Sequence, residues 1–454
     1  MRGTGRSRKG PSLSDMDSIA AGSAASHATA GDAAPGRGKV LAWGLWDWGS
    51  AAFNAVATTF VFTRYITSDS FGSNASTSAV LGFALGAAGL LVAITAPVTG
   101  QRTDASARRK LWLAVNTAIV VVMLALMAFV QPDPAFFWFG IALLAVGTVF
   151  YELASVNYNA MLSQVSTPRN VGKVSGFGWS MGYFGGIVLL LILLILFIPP
   201  FGILGLDSAT GVRIAMAAAA LWFLLSALPV LFAVPENRPD GDPVKVGIAA
   251  SYAKLFRDIG RLWREARHTV YFLIASAVFR DGLTGVFTFG GVLAAGTFGF
   301  SASEVIIFGI AANIVAGIAT VSSGALDDRF GAKPLIVVSL VGLIVCGTAV
   351  FFLHGGGQTM FWIFGLLLCL FVGPAQSASR TFLARVIPPG REGEVFGLYA
   401  TTGRAATFIA PTLFGIFVAL GGAQYWGILA IVLVLLIGLL LLLPVKAPEP
   451  VPKA

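Results

Sequence analysis

Long apolar runs separated by short polar segments fill most of this chain. Twelve can be drawn, at residues 40–66, 77–100, 111–131, 135–163, 172–198, 212–234, 269–296, 303–326, 334–354, 359–387, 393–420 and 424–444. A helix rises about 1.5 Å per residue, so roughly 20 apolar residues cross a hydrocarbon layer. Each run is that long. The pattern predicts an all-α integral membrane protein with twelve transmembrane helices. One connection is much longer than the rest. Residues 235–268 open with Pro235 and Pro239 and close on a stretch in which Ile248, Tyr252, Leu255, Ile259 and Leu262 recur at helical spacing. Lys254, Arg257, Arg261 and Arg264 fill the other positions, so this stretch reads as an amphipathic helix on a membrane face. The expected divisions are a disordered tail at 1–38, a six-helix half at 39–234, the linker at 235–268, a second half at 269–445 and a tail at 446–454.

Composition agrees with a bilayer. Charged residues make up 11% of the chain, against about 25% for soluble domains. The net charge of +9 does not form one basic face for nucleic acid. It sits between runs instead. Arg102, Arg108, Arg109 and Lys110, then Arg169 and Lys173, Arg329 and Lys333, and Arg385 and Arg391 occupy alternate connections together with the linker. The connections between them, such as residues 68–76 and 354–358, hold no Lys or Arg. That alternation puts both termini in the cytosol. Residues 1–38 hold no apolar core for a signal peptide. Ala-, Gly- and Arg-rich usage points to a bacterial plasma membrane. Cys346 and Cys369 lie inside apolar runs and read as small core residues, with no disulfide or metal framework expected.

The halves repeat. Leu162, Val165, Pro168, Gly172, Val174 and Gly176 recur as Leu383, Val386, Pro389, Gly393, Val395 and Gly397, at a constant offset (383 − 162 = 397 − 176 = 221). Gly100 and Asp104 recur as Gly324 and Asp328, an offset of 224. A duplicated six-helix unit is therefore legible within the one sequence. The connection after the second run carries Gly100, Asp104, Arg108 and Arg109; the one after the eighth carries Gly324, Asp328, Arg329, Gly331 and Lys333. Both resemble the signature loop of the major facilitator superfamily, although Ala105, Ala107 and Ala332 depart from it. A tight glycine turn beside an acid that can pair with cations suits a gate that breaks and re-forms.

Charge inside the runs is the sharper clue. Asp47, Glu152, Arg280, Asp281, Arg380 and Arg404 fall well within apolar segments, where each needs a partner or a watery cavity. They are the expected substrate or proton pathway; internal salt bridges are the alternative. Gly178, Gly182 and Gly186 lie four apart and are expected to let two helices pack closely. Gly178-Trp-Ser180-Met-Gly182 has the form of a hydrolase elbow, and His354 to Gly357 that of an oxyanion loop. Ser180 sits within a spanning helix rather than a strand–turn–helix, so no esterase is expected. No nucleotide, metal or cofactor motif is present in the sequence.

Four stretches, WGLWDWGSAAFN, YNAMLSQVSTPRNVGKVSGFGWSMGYFGG, FRDGLTGVFTFGGVLAAGTFGF and GPAQSASRTFLARVIPPGREGEVFGLYATTGRAATFIAPTLFG, are similar to the vacuole-effluxer branch of the major facilitator superfamily. That resemblance covers residues 40–445. It implies the major facilitator fold of two six-helix halves, secondary transport and amino-acid-like solutes. Asp47 matches the family's Asp-Trp position, Asp281 its Asp-Gly, and Arg404 a position where Lys is common. The expected activity is alternating-access movement of a small polar solute across the lipid bilayer, with protons as the candidate coupling ion. Export of a more apolar compound, or a membrane receptor without flux, remain the alternatives. No enzymatic activity, nucleic-acid partner or cofactor is expected.

Overall fold

The computed structural model describes residues 36–106, 108–166, 171–234, 248–387 and 392–446. The expected tail up to residue 35, the linker's first part at 235–247 and the last eight residues lie outside them. Among the described residues ten helices are long and apolar enough to span a membrane. The first and twelfth runs complete the twelve. The first is Arg37–Ala51 followed by a π-helical stretch, Ala52–Phe60, and a turn, Phe62–Ile66; the twelfth is Trp426–Leu442. The first helix thus begins at Arg37, inside the expected tail. Between them the spans are Asn74–Ser106, Arg109–Met127, Phe137–Ala160, Val171–Phe197, Ser208–Ala233, Arg267–Gly296, Ala302–Phe330, Ala332–Phe352, Gly357–Val386 and the broken eleventh, Glu392–Ala406 with Ile409–Gly421. The linker contributes Ile248–Glu265. We call the face bearing this helix the linker side and its opposite the far side.

Two spans depart from regular helices, for local reasons. In the first, the hydroxyls of Thr58 and Thr59 both donate to the Asn54 carbonyl, at 2.6 and 2.8 Å. They compete for the carbonyl that the Thr58 N–H would use in an α-helix, and at the end of the stretch the Val61 N–H reaches five residues back, to Val56. Such π segments recur at functional positions. In the eleventh, Pro411 has no N–H to offer Thr407, and the helix restarts at Ile409.

Caps close the far side. Asp207 accepts from the Thr210 N–H at 2.9 Å, starting the sixth span; the bonds from Thr210 hold its carboxyl below the usual carboxylate range. Ser301 and Glu304 form a capping box on the eighth. On the linker side Gly331, at φ +87°, turns the chain between the eighth and ninth spans.

Outward-facing apolar residues such as Phe232, Val321 and Leu420 are more than 80% exposed, as lipid-facing positions must be. Inside the first half, Trp43 and Trp46 stack on Tyr158 at 4.6 and 4.3 Å. Their indole N–H groups donate to the Tyr158 carbonyl and the Thr117 hydroxyl, which locks spans one, three and four together.

The halves meet differently on the two sides. Toward the far side the contact is backbone to backbone. Gly82, Gly86 and Gly89 of the second span lie against Gly415, Thr412 and Phe408 of the eleventh, and Gly291 of the seventh lies on the Thr59 carbonyl. The Gln424 amide donates to Ser78 at 2.6 Å across the same seam. Further toward the linker side, long side chains also reach across, Glu152 to Arg404 and Arg380 to Trp179, and the part of the eleventh span before its break still packs on the second.

Candidate functional site

The intramembrane charges lie from the middle of the bundle toward the linker side. By residue count, Asp281 and Arg404 fall within a turn of their spans' middles. Asp47 and Glu152 sit about one turn toward the linker side and Arg380 about two and a half.

Glu152 of the fourth span and Arg404 of the eleventh meet across the halves, Oε2 to Nε 3.6 Å. At that length the Arg404 Nε, itself buried, finds no hydrogen-bond partner. Arg380 of the tenth span crosses the other way and lies over the Trp179 ring of the fifth, 4.4 Å from its centroid. Arg280 stays within its own half. It rests over the Tyr399 ring at 4.2 Å and donates to the Tyr399 carbonyl at 3.4 Å. Tyr399 is held in turn by a 2.6 Å bond between its hydroxyl and Ser379. Arg280 lies close enough to repel both Arg380 and Arg404. Three guanidinium groups therefore share one paired carboxylate.

Asp47 is the reverse case. Its Oδ1 is 3.1 Å from the Ser50 hydroxyl, which is also 2.8 Å from the Asp47 carbonyl. No basic side chain pairs with it among the described residues. Gly182 makes room, since a Cβ there would stand 3.2 Å from Oδ2. Tyr183, one residue on, is within electrostatic reach of both Asp47 and Arg380. Gly178 faces Trp43 and Gly186 faces Ala51 and Ala55, so all three glycines of that row lie along the first span.

Asp281 does something the sequence did not suggest. Buried to 4% exposure, its Oδ2 accepts from the Ala410 N–H at 2.6 Å. Ala410 is the second residue of the helix that restarts after the break in the eleventh span, so Asp281 caps that helix from a neighbouring span. Arg280 meanwhile holds Tyr399, with Gly403 close beside its guanidinium, on the part before the break. Two consecutive residues of the seventh span thus clasp both pieces of the eleventh. Asp281→Ala is expected to lower stability by about 1–3 kcal/mol, the cost of an orphaned buried N–H. Asp281→Asn retains an acceptor and should recover most of it. Thermal melting in detergent reads this, and an Ala protein melting with the wild type would remove the cap.

The signature segments are mostly helix. Gly100 and Asp104 fall within Asn74–Ser106, and Gly324, Asp328 and Arg329 within Ala302–Phe330; only Gly331 makes the turn. The side chains of Asp104 and Asp328 lie outside the described residues. Next to Asp328, Asp327 is paired: Arg385 of the tenth span reaches it at 2.7 Å and Thr381 at 2.5 Å. Arg108 precedes the third span and is exposed, and Arg109 donates to the Ala160 carbonyl at 3.3 Å. Lys333 donates to the Leu443 and Val445 carbonyls at 2.9 and 2.5 Å, and Arg329 lies over Phe330.

No His, Cys, Asp or Glu cluster among the described residues could hold a metal. An apolar pocket lies mostly in the second half, lined by Val286, Phe308, Leu343, Phe361 and Ile428 among others and closed on one side by Phe60 of the first span. It touches none of the charged residues.

Comparison with known proteins gives concordant results. The family described as "Vacuole effluxer Atg22 like" matches residues 163–451. An uncharacterized MFS-type transporter of Bacillus subtilis, YxiO, is 25% identical over 414 residues, covering 88% of this chain and 93% of its own. Autophagy-related protein 22 of Cryptococcus neoformans is 25% identical over 304 residues, 63% of this chain; the chain spans only 51% of that protein. Among solved structures, a D-xylose–proton symporter superposes with a TM-score of 0.64 at 16% identity, covering 91% of this chain and 97% of its own. That likeness shows the fold: two six-helix halves of the major facilitator type.

Proposed function

We propose that this chain, which belongs to the vacuole effluxer Atg22-like family, is an MFS-type secondary transporter that carries a small polar solute by alternating access. One observation carries the reading: charges of opposite sign on opposite halves have no ionic partner among the described residues, and Tyr183 lies near both signs. Asp47 lies on the first half, and Arg280 and Arg380 on the second. A zwitterion answers both signs. Its carboxylate would lie on Arg380 or Arg280 and its ammonium on Asp47, with Trp179 and Tyr183 as walls. An amino acid is the simplest such solute. Asp47 and Glu152 are then the candidate proton carriers, whereas Asp281 is engaged with the eleventh span. The excess of Lys and Arg on the linker side supports an orientation with that side in the cytosol and the far side facing away from it, in a bacterial plasma membrane.

A second reading rests on the apolar pocket of the second half, which would suit export of a more apolar compound. A thermal-shift screen of purified protein against amino acids, amines, sugars and lipophilic compounds separates the two. A ligand at 100 times its Kd stabilises the native state by about 2.7 kcal/mol. We expect at least one amino acid to raise the melting temperature and Arg380→Ala to abolish that rise. Shifts from lipophilic compounds alone would replace the amino-acid reading with export. Binding with no counterflow in liposomes would make the protein a receptor.

A further inference from the structure

The linker helix Ile248–Glu265 presents three stripes. Tyr252, Leu255, Ile259 and Leu262 turn toward the bundle. Leu262 is fully buried, and the Tyr252 hydroxyl donates to the Ile94 carbonyl of the second span. Beside that stripe run Phe256 and Trp263, seven residues apart and 69% and 38% exposed. Trp263 meets Tyr271 of the seventh span edge-on at 5.2 Å, and Tyr271 is itself exposed. The aromatic stripe therefore runs along the rim where the helix meets the lipid-facing wall. Arg257, Arg261 and Arg264 form the third stripe, all exposed, with Arg267 exposed just beyond. Arg261 lies 3.7 Å from Asp258, one turn back. Rings at the headgroup level with guanidinium groups next to them are the makings of an interfacial helix on an anionic surface.

We propose that this surface docks on anionic phospholipid headgroups of the linker-side leaflet, and that docking ties the two halves together. The helix touches the second span through Tyr252 and packs on the seventh, and those spans belong to different halves. Toward this side the halves are also joined by Glu152 with Arg404 and by Arg380 over Trp179. Leaflet charge thereby acts on how far the halves can separate. The selectivity is for charge rather than for lipid in general, because the aromatic stripe serves any bilayer and the arginines only an anionic one.

The full-length protein in nanodiscs tests this through hydrogen exchange of residues 248–265. Each basic residue at an anionic surface contributes about a fivefold preference for the docked state. Exchange should then be at least about tenfold slower in discs containing phosphatidylglycerol than in pure phosphatidylcholine. Half-molar salt should remove the difference. A combined Arg257→Gln, Arg261→Gln, Arg264→Gln protein should exchange at the neutral-disc rate in both. Soluble glycerol phosphate added to neutral discs should change nothing. Equal exchange of the wild-type protein in the two lipids would overturn the proposal without any variant. So would a combined variant that keeps the slowing, and slowing by glycerol phosphate would assign the arginines to free anions.

Discussion

A Gly82→Leu protein is expected to open the far-side seam and to lose most of its transport. A Cβ at Gly82 would stand 2.7 Å from the Gly415 nitrogen and 2.8 Å from the Pro411 carbonyl oxygen. Both are backbone atoms, which cannot swing aside as a side chain can. The second and eleventh spans must then part. Gly86 and Gly89 continue the same face, the latter with its Cβ position 2.9 Å from the Phe408 backbone. The seam is thus a row of small residues, the usual way two membrane helices approach closely. Overpacking costs about 1–3 kcal/mol in a close-packed interface, and every 1.4 kcal/mol is a tenfold change in population. The far-closed state should therefore lose tenfold or more relative to a far-open one. Ser78 reports this well, being buried at the seam against Gln424. In a background lacking Cys346 and Cys369, Ser78→Cys should react with an impermeant maleimide about ten times faster once Gly82→Leu is added. Unchanged labelling in a folded protein would place the seal elsewhere.

That seam was not legible in the sequence, although its ingredients were. Glycines at 82, 86 and 89 sit among alanines and leucines in an apolar run, where a small residue signals close approach without saying to what. The row at Gly178, Gly182 and Gly186 shows itself by its regular spacing of four. Periodicity and length marked out the spans, and the repeat offsets showed the two halves, because those depend on one residue type recurring along one chain. What the offsets could not show is where the repeat is broken. Asp327 and Arg385 pair, yet their counterparts at offsets of 224 and 221 are Thr103 and Gln164, so the first half has no equivalent. Asp327, the acid seen to pair, lies one residue before the motif's Asp328. The break in the eleventh span had a local signal in Pro411. Its consequence was hidden, because the cap comes from Asp281, more than a hundred residues away in the chain. The charged residues were visible as charges. Their pairing is a matter of packing between spans, and composition carries none of that.

Glu152→Ala is expected to be more damaging than its modest ion pair suggests. The two side chains are 30% and 16% exposed and their atoms 3.6 Å apart, so the direct attraction is loose and partly screened. Removing Glu152, however, leaves Arg404 beside Arg280 with no carboxylate near it. Stripping one partner from a fully buried pair costs about 3–5 kcal/mol, and the watery side of this one brings the expectation to about 1–3 kcal/mol. Because the pair joins the halves, that loss falls on the bridged conformation rather than on the fold of either half. The linker-side gap should widen, and distances between spin labels on the fourth and eleventh spans should lengthen and broaden. Arg404→Ala removes the same bridge but also relieves the repulsion from Arg280, so it should cost less stability than Glu152→Ala. A protein carrying both Glu152→Arg and Arg404→Glu restores one charge of each sign across the gap. It should recover the wild-type distance distribution if the bridge acts through charge alone. If the swapped protein stays wide while melting like the wild type, the bridge depends on which half carries the arginine. In that event Arg404 serves the Arg280 and Arg380 cluster and Glu152 is its counter-ion, waiting to be displaced by the carboxylate of the solute.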